Sequence, residues 1–331
     1  MKPWKILDVT KGEWKEKLDD IREVMGTSPS STTERKDEIV EGVKDIRVEL
    51  IDWTENPYEA IYEMTVATWG NRKNWMRKWD DTPQEGRLAV VLACLNHDTL
   101  PAPLEAPQFT FAIQGPSRAA FDQIARQRIG VSIGSVGTRD NDWKDARLRI
   151  PNSIAEDEEL KKDFEEVFKR IKDVYQKVGE KGLSWQAARS ILPMGTCHRW
   201  TSRYNYSALQ SFCTRRLQFC EQEDTVTSAW KIREEVKKKF PLLAAFLRPG
   251  CDLAGHCTYH ESYSLSEAFG CLFTSCGRHG KDEDYGYATF NESCSDAETI
   301  AEQTGIEIPE SNEWDGITKD AVSEEIRRGN F

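Results

Sequence analysis

The sequence predicts an α/β fold of the α+β kind, a mixed sheet flanked by long helices, with an additional C-terminal extension. Three observations carry this reading. QFTFAIQGP, starting at Gln108, alternates apolar and polar residues with the period of two that a half-buried strand needs, and is expected to stop at Gly115-Pro116. Ahead of it, RLAVVLACLNH is an apolar helical run that leads into the turn residues of DTLPAP. Behind it, Leu160, Phe164, Val167, Ile171, Val174 and Val178 recur at three- and four-residue spacing with charges between them, the mark of a half-buried helix running from Glu156 to Gly182.

The remaining elements follow in chain order. Residues 1–46 are polar and broken by TSPSSTTER, so an amphipathic helix and a linker are expected ahead of the main domain, residues 47–248. EAIYEMTVATWG reads as a helix ending near Gly70, and SRAAFDQIARQR as a second helix. SWQAARSI is a helix stopped by Pro193, and another runs from about Asn205 through Arg215 and Arg216. Residues 249–331 form the extension, in which KDEDYGYATFNESCSD is expected as loop and ITKDAVSEEIRRG as a short helix with a solvated charged face.

With 331 residues, 38% of them hydrophobic, the chain can bury a sizeable core, to which its 11 Trp and 13 Phe contribute. The net charge of −11 argues against a broad basic surface for duplex nucleic acid or anionic membranes. MKPWKILDVTKGEWKEK has no apolar run between its charges, so no signal peptide is expected, and no window approaches the ~20 apolar residues of a membrane span. The odd count of nine cysteines, with Cys94, Cys197, Cys213 and Cys220 in core-like or site-like stretches, suits free thiols in a reducing cytoplasm.

Ala125 to Arg139 reads ARQRIGVSIGSVGTR, three arginines around a backbone of small residues. Arginine is permanently charged and its planar fork matches phosphate, while glycine and serine let main-chain N–H groups approach an anion. A lone arginine is ordinarily a surface ion pair. Here the context is richer, because Arg189 precedes Leu192-Pro193 and Arg215-Arg216 closes SALQSFCTRR. The glycines at 130, 134 and 137 fit neither the dinucleotide fingerprint nor the P-loop.

These residues resemble the flavin-dependent thymidylate synthase family, whose signature is R-H-R-x-x-S-x-N-E-x-S-x-R-Y. Arg126, Arg128 and Ser132 match it, and Arg139 matches after one inserted residue. The flanks match in order. His97, Thr99, Pro101, Glu105 and Phe109-Thr110-Phe111 resemble the family's H-x-T-P…E and F-T-F, while Ala188-Arg189-Ser190-Ile191-Leu192-Pro193, Asn205, Arg216 and Gln222 resemble A-R-x-x-L-P, N, L-R and A-Q-x-E. The resemblance spans roughly residues 48–247.

What the resemblance implies is FAD bound at His97, Thr99, Glu105, Arg126, Gln127, Arg128, Asn205 and Ser211, and a nucleotide at Ser135, Gly137, Thr138, Arg139, Arg189 and Arg216. NADPH would be the reductant, methylenetetrahydrofolate the carbon donor, and the enzyme a homotetramer with sites between subunits. Position 5 of a pyrimidine deoxynucleotide monophosphate would receive the carbon without a cysteine nucleophile. Residue chemistry agrees with that division, since a preorganised guanidinium stabilises negative charge developing on a pyrimidine carbonyl oxygen, and Arg216 is the candidate for this catalytic role.

The chain departs from the signature at Gln127, which replaces its histidine, and lacks its Asn-Glu pair and final tyrosine. A site that has lost a polar partner accepts a different ring edge, so dCMP stands beside dUMP, and hydroxymethylation beside methylation. A nucleotide-binding relative without turnover is the alternative. An extended, diverged form is what a DNA-modifying virus would carry, its compartment then being the host cytoplasm. Finally, Cys251, His256, Cys257, His260, Cys271, Cys276 and His279 crowd the extension. They are competent for a structural zinc, although their spacing is not that of a zinc ribbon, and buried thiols with surface histidines are the other reading.

Overall fold

The computed structural model describes residues 39–69, 78–139, 141–219, 221–254 and 297–331, together with Glu16 and Lys17. Its elements in chain order are β1 (Ile39–Glu41), β2 (Arg47–Trp53), α1 (Pro57–Ala67), α2 (Gln84–Leu95), β3 (Gln108–Ser117), α3 (Arg118–Ile124), β4 (Val131–Ser135) and β5 (Leu148–Ile150). They continue with α4 (Asn152–Ala155), α5 (Glu158–Glu180), α6 (Trp185–Ala188), β6 (Cys197–Asn205), α7 (Tyr206–Arg216) and α8 (Glu223–Lys239). The chain closes with α9 (Pro241–Ala245), α10 (Gly250–Ala254), α11 (Ala297–Thr304) and α12 (Trp314–Arg328). Of the expected N-terminal helix only Glu16 and Lys17, both helical, are described.

The α/β fold expected from the sequence is observed, with its two kinds of strand pairing in separate sheets. Four strands in the order β2-β3-β6-β4 pair antiparallel throughout. Among the described residues, parallel pairing is confined to β1 and β5, where Ile39 lies opposite Leu148. Alternation along β3 and β6 turns Phe109, Phe111, Ile113, Trp200 and Tyr204 inward and leaves Gln114, Arg199, Thr201 and Arg203 exposed. β3 does not stop at Gly115-Pro116. Its register shifts between Gln114 and Ser117, and Gly115, at φ 107°, passes so near Asp45 that a Cβ would lie 3.2 Å from its carbonyl oxygen.

Two helices differ from expectation. α3 ends at Ile124, four residues short of Arg128, so the arginines at 126 and 128 lie in a turn leading to β4. α5 forms as expected but buries Phe168 and Tyr175, while Leu160, Phe164 and Val167 are exposed, Val167 by 60%. The face chosen by packing is rotated from the stripe chosen by pattern, because the small cluster of Trp143, Ala146, Leu148, Ile150 and Ala188 approaches α5 from one side only.

The main core is centred on α8, a segment with no clear periodicity. Trp230 is fully buried there, and the Arg233 guanidinium, 1% exposed, lies over the rings of Trp230 and Trp314. The extension joins this core through Ile300, Ile306, Trp314, Ala321 and Phe331. Its last helix is not wholly solvated as expected: Glu325 is buried and accepts from the Tyr58 hydroxyl, from Leu242 N at 3.2 Å and from Asn330 Nδ2 at 2.6 Å.

Candidate functional site

Three of the residues singled out by sequence, Asn205, Ser211 and Arg216, cap or lie on α7. At its N-terminus Asn205 is the cap, its Oδ1 accepting from Ala208 N at 2.7 Å. Its own N–H donates to Gly130 O at 2.9 Å. Gly130 has φ 71°, and a Cβ on it would lie 2.7 Å from Asn205 Nδ2 and 2.8 Å from Ala208 Cβ. Only glycine lets the arginine turn dock on the first turn of α7. Arg126 and Arg128 project from that turn, their side chains without hydrogen-bond or ion-pair partners among the described residues, beside Ile129, which is 88% exposed. Gln127 between them is half-buried.

Midway along α7, Gln210 and Thr214 face a cavity of about 780 Å³ whose wall includes Asn96, His97 and Arg248. Ser211 is the half-buried neighbour of Gln210. His97 sits just beyond α2 with φ 60°, the one non-glycine residue among those described in the left-handed region. Thr99 is half-buried and Glu105 exposed on the turn that follows.

At the C-terminal end of α7, Arg216 Nη2 donates to Gln123 O at 3.0 Å and Nη1 forms an ion pair with Glu221. Gln123 is itself held: its Nε2 donates to Gln222 Oε1 at 3.0 Å, and Thr225 Oγ1 donates to its Oε1 at 3.4 Å. Gln222 Nε2 continues to Ser117 Oγ at 3.3 Å, and Ser117 N donates to Asp224 Oδ2 at 2.8 Å. From Asn205 to Arg216, at 1.5 Å per residue, the helix runs about 16 Å.

A second group forms beyond β4. Arg189 Nη1 donates to Thr138 Oγ1 at 3.4 Å, and Gly137 O accepts from Asn141 Nδ2 at 2.7 Å. Arg139 and Ser135 are exposed beside them. Val136 N donates to Arg199 O at 3.3 Å, so that amide is committed within the fold. Among the described residues, Arg189 and Arg216 share no hydrogen-bond partner. The larger cavity, about 900 Å³ over the open face of the sheet, is lined by Gly134 of the arginine segment but by none of the residues expected to bind nucleotide or flavin.

Burial sets the chemistry of the interior. It pushes the Cys197 thiol up to about 11 and Cys213 up to about 12, and raises Cys94 as well. These thiols stay protonated at neutral pH and are poor nucleophiles. His198, enclosed by the rings of Phe121, Trp143 and Trp200, is lowered to about 4, by burial first and then by Arg118 and Arg199. Glu223 is raised to about 7, mainly by burial. Of the proposed zinc ligands only Cys251 is described, buried on α10; the other six lie outside the described residues, among which no cluster of three potential ligands occurs.

Gln123, Glu221 and the Ser117–Asp224 contact escaped the sequence reading. The signal for Glu221 was present, since EQED stands where the resembling motif is A-Q-x-E. The contact of Gln123 is made by its main chain and leaves no trace in residue type.

An antiparallel sheet flanked by helices, with arginines on the turns and helix ends beside it, defines an α/β protein. Residues 49–242 match the Thymidylate synthase complementing protein family, and the chain belongs to this family, the flavin-dependent thymidylate synthases. It is therefore an enzyme of the one-carbon transferase class. It is 28% identical over 222 residues to the flavin-dependent thymidylate synthase of Pyrococcus furiosus, covering 64% of this chain and 89% of that one. It is 30% identical over 226 residues to that of Pyrococcus horikoshii, covering 65% and 91%. In fold it is similar to a UMP/dUMP methylase, PolB, from Streptomyces cacaoi bound with 5-Br dUMP, with a TM-score of 0.52, 16% identity, and coverage of 62% of this chain and 96% of that one.

Proposed function

We propose that the chain transfers one carbon from methylenetetrahydrofolate to C5 of a pyrimidine deoxynucleotide monophosphate, with bound FAD and with NADPH as reductant. The observation that carries this reading is Arg216 held between Gln123 O and Glu221 at the end of α7. A guanidinium fixed before the reaction stabilises charge on a ring oxygen without reorganising. dUMP is the first substrate to test, because the relatives are thymidylate synthases and the structural neighbour is a UMP/dUMP methylase. dCMP is the second, because Gly134-Ser135 replaces the Asn-Glu pair of the family signature.

Arg139, Arg189 and Thr138 hold the nucleotide phosphate in this reading, with Ser135 and Gly137 lining its approach. Arg126 and Arg128, without partners among the described residues and beside an exposed isoleucine, fit the diphosphate and an apolar edge of FAD. Gln127, Asn205, Ser211, His97, Thr99 and Glu105 complete that cofactor site. FAD, when bound, supplies the hydride chemistry. A homotetramer with sites between copies of the chain is proposed on the family resemblance alone. No helix among the described residues is long and apolar enough to cross a membrane, and a cytoplasmic location is proposed.

The test is an absorbance scan of the purified chain, followed by incubation with methylenetetrahydrofolate, NADPH and either dUMP or dCMP, and mass spectrometry of the nucleotide. A flavin spectrum and a one-carbon gain on one nucleotide are expected, the increment separating methyl from hydroxymethyl. No flavin and no product, with nucleotide still bound in calorimetry, would mean that only the binding function survives.

A further inference from the structure

An arginine at a helix terminus samples many rotamers unless its donors are engaged. Arg216 is engaged on two sides, by the Gln123 carbonyl from α3 and by the Glu221 carboxylate from the segment before α8. The pair is well shielded, its side chains 17% and 10% exposed, and so differs from a surface bridge whose two chains wave in water. The acceptor on the other side is equally fixed, since the Gln123 amide is tied to Gln222 and Thr225.

The position of Glu221 is informative. It occupies the alanine place of the A-Q-x-E motif, while Gly134-Ser135 occupies the Asn-Glu place of the arginine signature. This chain therefore lacks a carboxylate in one motif and carries one in the other, against the arginine that the reaction needs. We propose that Glu221 is the positioning residue for Arg216: its carboxylate holds Nη1 so that the remaining N–H donors point at the pyrimidine oxygen on which charge develops. The inference rests on the reading of Arg216 given under Proposed function. Glu221 itself does not touch the nucleotide; it acts by keeping the guanidinium in the one orientation that matches the transition state, an effect that belongs to kcat more than to KM.

Glu221→Ala, Glu221→Gln, Arg216→Ala and the Glu221→Ala/Arg216→Ala double variant test this, with turnover, calorimetric affinity for the nucleotide and melting temperature measured on each. Glu221→Ala is expected to lower kcat by about tenfold or more with KM and Kd changed less than about threefold, while Glu221→Gln, which keeps an acceptor, recovers most of the rate. In the Arg216→Ala background the Glu221→Ala change is expected to have no further effect. Should the alanine variant melt early, Glu221→Asp, which keeps the charge but retracts it by one methylene, carries the same prediction of lowered kcat at unchanged KM.

Wild-type kcat in Glu221→Ala, or an equal loss with and without Arg216, overturns the proposal and leaves the role of Arg216 standing. Undiminished turnover in Arg216→Ala overturns both. A fall in melting temperature with kcat intact reduces the ion pair to a tie between α7 and α8.

Discussion

α5 and α8 relate sequence pattern to burial in opposite ways. α5 carries the cleanest apolar stripe in the chain, yet Leu160, Phe164 and Val167 face outward and only Phe168 and Tyr175 are buried. α8 reads EDTVTSAWKIREEVKKK, rich in charge, yet every residue from Glu223 to Trp230 is buried, as are Ile232, Arg233 and Val236. The difference lies in their surroundings. α5 meets one small cluster, whereas α8 meets β2, β3, α3, α7 and α9. An apolar period shows that a helix has one face to bury, while burial itself follows the number of elements that converge on it.

The largest test of this contrast is Trp230→Ala. Removing a fully buried indole from the centre of α8 is expected to cost about 4 kcal/mol, read as a drop in the urea midpoint. A loss no greater than that of an exposed residue would break the comparison.

The second test uses two buried titratable groups, one on α8 and one on β6. Glu223 keeps its proton in the fold up to about pH 7 against an ordinary 4.5. Its contribution is thus fully present below the unfolded value and is lost as pH rises through about 7. His198 stays neutral in the fold down to about pH 4 against an ordinary 6.5. Its contribution is present above the unfolded value and is lost as pH falls toward 4. The two slopes oppose each other, so stability is expected to be nearly flat between about pH 4.5 and 6.5. Glu223→Gln should leave stability rising with pH across that window, and His198→Phe should leave it falling, each by an amount on the order of 2 kcal/mol. Parallel profiles for wild type and both variants would show that neither group titrates abnormally.

The smallest effect is expected at Val167→Ser, within about 0.5 kcal/mol at an exposed site. A larger loss that grows on dilution would show that another copy of the chain covers the α5 stripe, and would sharpen the contrast between a helix buried within the chain and one buried between chains.

Local chemistry is what the sequence displayed best. The helix capped by Asn205 runs through Arg216 as read, because the cap and the basic last turn are both near in sequence. The β3 alternation was visible for the same reason, although its passage through Gly115 was not, since that depends on Asp45 lying alongside. α8 was illegible because its burial comes from elements far away in the chain. For the candidate site, residue types and motif order singled out Arg126, Arg128, Arg189 and Arg216, while the Gln123 carbonyl that accepts from Arg216 belongs to a main-chain group 93 residues away.

By itself the sequence determined the α/β class, the arginines, the helix that ends in Arg215 and Arg216, and the family, since each rests on short-range pattern and residue chemistry. Only the tertiary structure decided which helix forms the core, that the last helix delivers Glu325 into it, and that Arg216 meets Glu221 and Gln123. Those outcomes depend on which distant surfaces come into contact, and no periodicity within a segment encodes the identity of its neighbours.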